Sequence, residues 1–573
     1  MKQFKHSRDQ DLVSTSLDGL VSANPSLAHL NHNVVVYRPS YKSNPEKVTL
    51  ISGGGSGHEP THTGFIGEGM LDAVAVGQIF ASPTAVQIEH ALDAVSSPKG
   101  TLIIVKNYTG DVFHFGAAAE KAKAAGKSVR VVIVGDDVAV GREQGALVGR
   151  RGLAGVILVH KTAGASAQQG HDLATVAHCA ELVARNIATI GTSLEHCTIP
   201  GRKFHSDLKD DEYEIGLGIH NEPGVIRESH LPELPKVIDR MLRLMTDQND
   251  KDRAFVKFQN GDDVLLLVNN LGGVSPFEIS YITSIALRKV EKLEFRVRRV
   301  LAGTFTTSFN GLGFSLTLLN LTSAGPKILD LIDLQTPVPG WTNATASKDW
   351  DQKPISEGKF EREELPESGI LLPKGFEANL NRGLRALIAA EPQITEYDTM
   401  AGDGDCGETL KAGAEALMNK FDSLPSDAVL AILEMADVLG EAMGGTSGGI
   451  YFIFLTALAK NLRECGVEAI DPLVAGESAK GALITLFEYT KARKGDRTLI
   501  DALQPFIDTL CETSSISEAL RACQEGMEST AKLTAKAGRA AYVQQDNLVK
   551  ENIPDPGAYG LFTFLQAWCD SEE

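Results

Sequence analysis

The sequence has no long hydrophobic run, no CxxC pair and no excess of basic charge, and each absence excludes a class of protein. No stretch approaches the ~18 uninterrupted apolar residues that a membrane-spanning helix needs. The 573 residues include 55 basic and 74 acidic side chains, for a formal net charge of −19. Such a surface repels nucleic acid and anionic membranes. We therefore expect neither nucleic-acid binding nor membrane insertion.

The cysteines and the two ends of the sequence allow a prediction of the cellular compartment. Seven cysteines are dispersed along the chain, and this odd number is typical of reduced thiols rather than of a disulfide framework. The first residues, MKQFKHSRDQDLV, lack the apolar core of a signal peptide, and the last, WCDSEE, match no retention or peroxisomal signal. These features predict a cytoplasmic protein.

The first 334 residues show a pattern of alternating strands and helices. Short β-branched runs such as 48–51, 102–105 and 131–134 end in glycine-rich turns and are separated by helix-forming stretches. This alternation predicts a mainly parallel sheet covered on both faces. A second group of apolar runs begins near residue 264, so we predict two α/β subdomains within residues 1–334.

The rest of the chain has a different periodicity. Residues 335–370 are rich in Pro, Ser, Thr and charge, which is typical of a linker. Beyond them, Phe376, Leu380, Leu384 and Leu387 lie on one face of a helix, and few strand-like runs follow. We predict an all-α domain over residues 371–573 and interpret its apolar stripes as core.

Three familiar motifs are incomplete. Residues 58–62 spell HExxH, but the glycines before the motif and Pro60 within it argue against the continuous helix that a zinc protease needs. The dinucleotide pattern that begins at Gly53 has His58 in place of its third glycine. The GKS at 126–128 lacks the first glycine of a Walker A loop. Any ATP binding must therefore use other residues.

Three polar loops flanked by glycine form the first candidate site, at 53–58, 106–111 and 216–224. The first two follow predicted strands directly, and open α/β sheets bind ligands at the carboxyl ends of their strands. His58, Asp111 and His220 could converge there as base, orienting group and nucleophile. The alternative is a set of tight turns around a hydrogen-bonded histidine. The presence of three such loops favours a site.

An acidic loop in the helical half forms the second candidate site. Asp398, Asp403 and Asp405 lie within eight residues, and three carboxylates so close repel one another unless a cation neutralises them. Oxygen ligands alone favour Mg²⁺ or Ca²⁺. The loop lacks the EF-hand glutamate, so Mg²⁺ that bridges nucleotide phosphates fits it better. A solvated acidic turn that caps the next helix is the alternative.

Several of these segments together resemble a known family. ISGGGSGHEPTHTGFIG, VKNYTGD, GIHNEPG, DGDCG, GGTSGG and DPGA resemble, in order, the single-chain ATP-dependent dihydroxyacetone kinases, which include the triokinase type. The resemblance runs from about residue 15 to the end of the sequence. It implies a ketone-binding domain of two α/β subdomains, an all-α nucleotide domain shaped as a helical barrel, and a homodimer.

The resemblance also implies roles for particular residues. His220 would form a covalent hemiaminal with the carbonyl of a triose. Asp111, assisted by His58, would take the proton from the hydroxyl that attacks ATP. The substrate hydroxyls would be held by Gly55, Ser56, Gly57, His58, Lys106 and Asp111.

In the helical domain, the resemblance implies that Asp398, Asp403 and Asp405 hold two Mg²⁺ ions that bridge the ATP phosphates. The nucleotide contacts would come from Asp405, Cys406, Gly407, Glu408, Thr409, Thr446, Ser447, Arg497, Thr498, Leu499, Asp555, Pro556 and Gly557.

The predicted reaction is the ATP-dependent phosphorylation of dihydroxyacetone, with D-glyceraldehyde as a second substrate. Two alternatives stay open. One is an FAD-AMP lyase activity at the nucleotide site, which would form cyclic FMN. The other is a carbonyl-metabolite sensor without catalysis, although a sensor would not need the three acidic residues.

Overall fold

The computed structural model describes residues 11–145, 147–200, 208–341, 349–350, 365–401, 404–535 and 552–570. The chain divides into two compact units, Met1–Ser356 and Glu357–Glu573. The first unit is α/β and the second is helical, which confirms the predicted fold class. Among the described residues, none of the helices combines the length and the apolar character required to cross a bilayer.

The first sheet contains most of the parallel pairing. Its strands are β1 (Leu27–Leu30), β2 (Val34–Tyr37), β3 (Thr49–Ser56), β4 (Ala73–Ile79), β5 (Thr101–Lys106) and β6 (Val129–Val134), in the order β1-β2-β4-β3-β5-β6. The strands β4, β3, β5 and β6 are parallel, as predicted. All residues of β5 are buried, because a parallel sheet is covered on both faces. The helices α1 (Leu12–Ala23), α2 (Ala85–Ala94) and α3 (Thr109–Ala124) belong to this part of the unit.

The second sheet differs from the prediction. Its strands are β7 (Ile187–Glu195), β8 (Glu212–Ile215), β9 (Ile226–Ser229), β10 (Asp263–Asn270), β11 (Arg296–Gly303) and β12 (Leu312–Asn320), in the order β11-β10-β12-β7-β8-β9. Here β10 and β11 are parallel, and the other described neighbours are antiparallel. The link between β11 and β12 is too short for the helical crossover that a parallel connection requires. The expectation of mainly parallel pairing was therefore wrong for this sheet.

A shared core holds the two sheets of the first unit together. The helices that follow β6 are α4 (Val156–Gln168), α5 (Leu173–Asn186), α6 (Leu234–Thr246), α7 (Pro276–Lys292), α8 (Leu321–Ala324) and α9 (Pro326–Asp333). Helix α4 is buried along nearly its whole length, and it packs in one cluster with Leu50 and Leu102 of the first sheet and Leu267 and Leu319 of the second. Loops from both sheets can therefore contribute to one rigid site.

The second unit is a ring of helices. They are α10 (Phe376–Ala401), α11 (Cys406–Lys420), α12 (Ala428–Ala442), α13 (Gly445–Cys465), α14 (Pro472–Tyr489), α15 (Ile500–Thr513), α16 (Ile516–Ser529) and α17 (Pro556–Cys569). Each of these packs against the next, and α17 packs against both α16 and α10, which closes the ring. The predicted stripe of Leu380, Leu384 and Leu387 is buried. Apolar side chains from the eight helices line a cavity of about 530 Å³.

Candidate functional site

His220 lies in the loop between β8 and β9, and three groups fix its ring. Its Nε2 is 3.1 Å from Nε2 of His58, which follows β3. Its Nδ1 is 2.9 Å from the Glu222 carboxylate, which also accepts the backbone N–H of His220 at 2.9 Å. Nδ1 of His58 is 2.8 Å from the carbonyl oxygen of Thr307 and must donate to it. Nδ1 of His58 therefore carries a proton, and Nδ1 of His220 is placed to donate to Glu222. The two Nε2 atoms can form a hydrogen bond only when one of them carries a proton, and Nε2 of His220 presents a lone pair when it is not the donor.

Glu222 is the main functional residue that the sequence reasoning missed. Burial acts to raise the pKa of its carboxyl group, but the hydrogen bonds and charge of His220 outweigh burial and lower the pKa to about 2. The carboxylate is therefore ionised at neutral pH and orients the imidazole, as an aspartate does in a catalytic triad. The signal was present in the sequence, since Glu222 stands two positions after His220 in the same glycine-flanked loop.

Two aromatic rings complete the walls around the histidines. Phe80 stacks on His58 with ring centroids 5.0 Å apart and meets the His220 ring edge-on at 5.1 Å. Tyr108 meets His220 edge-on at 4.8 Å. The Tyr108 hydroxyl is buried and has no hydrogen-bond partner among the described residues. These rings leave the His220 imidazole little freedom to rotate.

Lys106 and Asp111 bring opposite charges into the same pocket. Lys106 ends β5 and Asp111 lies in the first turn of α3, and both side chains are buried. Burial lowers the pKa of Lys106 to about 8, against the opposing effect of Asp111 and three other carboxylates. Burial raises the pKa of Asp111, and the Ser82 hydroxyl and Lys106 offset this in part. Asp111 Oδ1 has no hydrogen-bond partner within the described part of the chain, so it is free to accept one.

His58 is buried as well, and its pKa is lowered well below the usual value by burial and by the charges of Lys106 and His220. The ring is therefore neutral and can accept a proton only weakly. Its two nitrogens contact Thr307 and His220 rather than Asp111. The assistance of His58 to Asp111 thus stays a prediction.

The predicted contacts of residues 55–57 with substrate also stay a prediction, because these groups have protein partners in the structure. The Ser56 hydroxyl donates to the Gly77 carbonyl at 2.8 Å, and the Gly57 N–H donates to the Glu59 carboxylate at 2.9 Å. Gly55 packs against the backbone of Ala81, where a Cβ would be 2.7 Å from the amide nitrogen. The glycines thus allow a close backbone approach beside the pocket.

The HExxH segment forms bends and turns rather than an α-helix, so His58 and His62 do not share a helix face. His62 contacts Ser52 and His160 instead. Among the described residues, no three His, Cys, Asp or Glu side chains form a group that could hold a metal ion.

The second candidate site lies in the helical unit, where acidic groups gather around Cys406. Asp398, near the end of α10, accepts the Cys406 N–H at 2.9 Å, and Asp405 directly precedes α11. Burial and the carboxylates of Asp398, Asp555 and Asp405 raise the pKa of the Cys406 thiol to about 12. Asp403 lies outside the described residues. Carboxylate oxygens are the ligands that Mg²⁺ prefers, so the types of side chain near Cys406 suit this ion.

Asp555 and Arg497 lie close to this acidic group. Burial, together with Asp501 and Asp398, raises the pKa of Asp555 to about 6, and Arg497 opposes this shift. The Arg497 guanidinium is almost completely buried and donates from Nη2 to the Ile553 carbonyl at 3.0 Å. Its Nε and Nη1 have no partner among the residues that the structure describes. Unpaired, desolvated guanidinium donors fit a phosphate group.

The other predicted nucleotide residues lie at the starts of helices. Thr446 and Ser447 lie in the first turn of α13. The N-cap Gly444 provides no side-chain cap, so the first N–H groups of this helix can donate to an anion. Glu408 and Thr409 lie in the first turn of α11. A Cβ at Gly407 would overlap Thr395 of α10, so the close packing of these two helices requires glycine at this position. The remaining predicted residues lie before or within the first turns of α15 and α17: Thr498, Leu499, Asp555, Pro556 and Gly557.

Comparison with known families finds a separate domain model for each of the two compact units. The Dak1 domain model matches residues 18–339 and the DAK2 domain model matches residues 400–570. The chain therefore belongs to the class of proteins that carry both domains on one polypeptide. Within that class, it is a member of the dihydroxyacetone kinase family.

Full-length relatives support this membership. Dihydroxyacetone kinase 2 of Saccharomyces cerevisiae is 46% identical over 585 aligned residues, which cover 99% of this chain and 98% of the relative. Triokinase/FMN cyclase of Homo sapiens is 38% identical, with 96% of each chain covered. The crystal structure of the dihydroxyacetone kinase from C. freundii in complex with AMP-PNP and Mg²⁺ matches with a TM-score of 0.68, 30% identity and full coverage of both chains.

Proposed function

We propose that this protein transfers the γ-phosphoryl group of ATP to a terminal hydroxyl of dihydroxyacetone, and also of D-glyceraldehyde. The observation that carries the proposal is the fixed His220 ring, whose Nδ1 contacts Glu222 and whose Nε2 faces the pocket beside His58. The relatives named dihydroxyacetone kinase and the structural neighbour with AMP-PNP and Mg²⁺ support the same reaction.

Capture of the substrate would begin with the Nε2 lone pair of His220. This nitrogen forms a bond to the carbonyl carbon, and the π electrons of the carbonyl move to its oxygen. The oxygen takes up a proton while Nδ1 releases one toward Glu222, so the hemiaminal forms without a net change in protons. Glycerol has no carbonyl carbon, so a site of this kind discriminates against it.

Transfer would require a base and a positive charge near the attacking hydroxyl. Asp111 Oδ1 has no hydrogen-bond partner among the described residues, and we assign to this carboxylate the removal of the hydroxyl proton. Lys106, buried nearby, would hold a substrate hydroxyl and offset the negative charge of the pocket. The remaining substrate contacts would come from Gly55, Ser56, Gly57 and His58.

At the nucleotide site, Asp398, Asp403 and Asp405 would hold Mg²⁺, and we propose two ions. Bound Mg²⁺ neutralises phosphate charge and orients the γ-phosphoryl group. Arg497 would donate its free N–H groups to phosphate oxygens. The predicted residues at the starts of α11, α13, α15 and α17 would contact the rest of the nucleotide. We further propose a cytoplasmic homodimer; its mass in solution tests the oligomeric state.

A coupled assay with ATP and Mg²⁺ tests the proposed function directly. Dihydroxyacetone, D-glyceraldehyde and glycerol are offered in parallel, and ADP formation is followed. We expect phosphorylation of the two carbonyl compounds and none of glycerol. Activity on glycerol would contradict covalent capture at His220. Binding of ketone without turnover of any of the three would favour the sensor.

A second activity is suggested by one of the relatives. The human relative is named triokinase/FMN cyclase, so cleavage of FAD to cyclic FMN is an alternative use of the nucleotide site. Incubation with FAD and Mn²⁺, followed by chromatography of the flavin products, tests it. Cyclic FMN that forms in the wild type and is lost in Asp398→Asn would support this activity.

A further inference from the structure

A second buried pair of histidines lies behind the pocket and has no role in the proposed reaction. His62 Nδ1 is 2.9 Å from Nε2 of His160, on α4, and 3.1 Å from Oγ of Ser52, on β3. All three side chains are almost completely buried. The opposite nitrogens, His62 Nε2 and His160 Nδ1, have no hydrogen-bond partner among the described residues. Buried polar atoms without partners indicate a bound molecule or a function.

The hydrogen bonds of this cluster determine where the protons lie. The Ser52 hydroxyl donates to the Ile104 carbonyl at 2.6 Å, so its oxygen can only accept from His62. His62 Nδ1 is therefore the donor, to Ser52 and to His160 Nε2. It follows that Nε2 of neutral His62 presents a lone pair and acts as an acceptor.

His62 Nε2 and Asp111 face the same small space above Gly54. A Cβ placed on Gly54 would lie 3.6 Å from His62 Nε2 and 3.8 Å from Asp111 Oδ2. Asp111 Oδ1 also lacks a hydrogen-bond partner in the described part of the chain. His62 Nε2 thus lacks a donor and faces the same space as Asp111 Oδ2, and a molecule that donates twice could join the two acceptors; water is the smallest such molecule.

We propose that the space above Gly54 holds one ordered water molecule, which donates to His62 Nε2 and to the Asp111 carboxylate and thereby positions Asp111. The proposal rests on the proposed function for the role of Asp111 as a base. His62 is thus a positioning residue, fixed by Ser52 and His160, and the absence of a side chain at Gly54 leaves room for the water.

The charges around the pair explain why His62 accepts hydrogen bonds rather than protons. Burial, His160, Lys106 and His58 all lower the pKa of His62, and burial and Lys106 lower the pKa of His160 to about 3. Both rings are therefore neutral throughout the range in which a kinase is assayed. A hydrogen bond to the charged form of Asp111 lowers the pKa of its carboxyl group. Loss of the water should raise that pKa.

The experiment compares the pH dependence of kcat in three single variants of the full chain. Gly54→Ala fills the space without removing a polar group, and the distances above are ordinary contacts, so the variant should fold. His62→Leu removes the acceptor. We expect both to shift the acidic limb of kcat upward by about one pH unit, so that kcat on that limb falls by up to roughly tenfold. The matched control is Gly116→Ala on α3, where a Cβ meets nothing within 4 Å and the profile should not change.

A crystal structure of the wild type and of Gly54→Ala provides the independent readout. We expect density for a water within hydrogen-bond distance of His62 Nε2 and Asp111 in the wild type, and none in Gly54→Ala. An empty space in the wild type, or an unchanged pH profile in Gly54→Ala, would overturn the proposal. If the wild type phosphorylates neither carbonyl substrate, the proposed function fails, whereas the density still decides whether the water site exists.

Discussion

Replacement of Glu222 by glutamine tests the role that only the structure showed. The Glu222 carboxylate accepts both the Nδ1–H and the backbone N–H of His220, each at 2.9 Å. Glutamine keeps the size of the side chain and one acceptor oxygen but removes the charge. Its amide can also present N–H to Nδ1, which would move the imidazole proton to Nε2 and block attack on a carbonyl.

The expected magnitude follows from the kind of hydrogen bond that is lost. A hydrogen bond to a charged group contributes about 1.5–3 kcal/mol, which corresponds to a roughly 10- to 150-fold change. We therefore expect kcat/KM for dihydroxyacetone to fall by that factor in Glu222→Gln. The pKa of Glu222 is about 2, below its usual value, so the charge is lost only as the pH falls toward 2. The defect should consequently be constant between pH 6 and 9.

The assay measures kcat/KM for dihydroxyacetone at saturating ATP and Mg²⁺, next to KM for ATP. The control is Glu228→Gln on β9, which removes a half-exposed carboxylate paired with Arg240 away from the pocket. The control should keep wild-type kinetics. If Glu222→Gln stays within twofold of the wild type while His220→Ala loses activity, the orienting role of Glu222 is refuted.

Four further predictions concern the two sites. His220→Ala should lose its preference for dihydroxyacetone over glycerol, and unchanged ketone affinity and activity in the parallel-substrate assay would contradict covalent capture. Burial lowers the pKa of Lys106 to about 8, so its positive charge is lost above that pH. The kcat/KM of the wild type should therefore fall above pH 8, and the pH profile of Lys106→Met should lack this basic limb. Asp403→Asn should lower kcat by about 10²-fold and abolish Mg²⁺-dependent ATP binding in calorimetry, whereas normal ATP affinity would argue against a metal ligand. Arg497→Met should raise KM for ATP while KM for dihydroxyacetone stays unchanged, and the reverse pattern would place Arg497 outside the phosphate site.

The sequence alone was sufficient to predict features that depend on the local pattern of apolar and polar residues. The β-branched run 102–105 could be identified as a buried strand because all its side chains are apolar, and β5 is buried throughout. Leu380, Leu384 and Leu387 indicated a helix by their spacing, and they lie in the core of the helical ring. The motifs around His58, Asp111 and His220, taken together and in order, indicated the family.

Tertiary structure alone decided which groups meet. His58 and His220 are 162 positions apart in the chain, yet their Nε2 atoms are 3.1 Å apart because one core joins the two sheets. The antiparallel pairing of the second sheet, the contact between Glu222 and His220, and the unpaired donors of Arg497 likewise depend on packing between distant segments. Composition and spacing determine which residue types are present and how each segment folds locally. Distances, burial and the resulting pKa shifts arise only once those segments pack together.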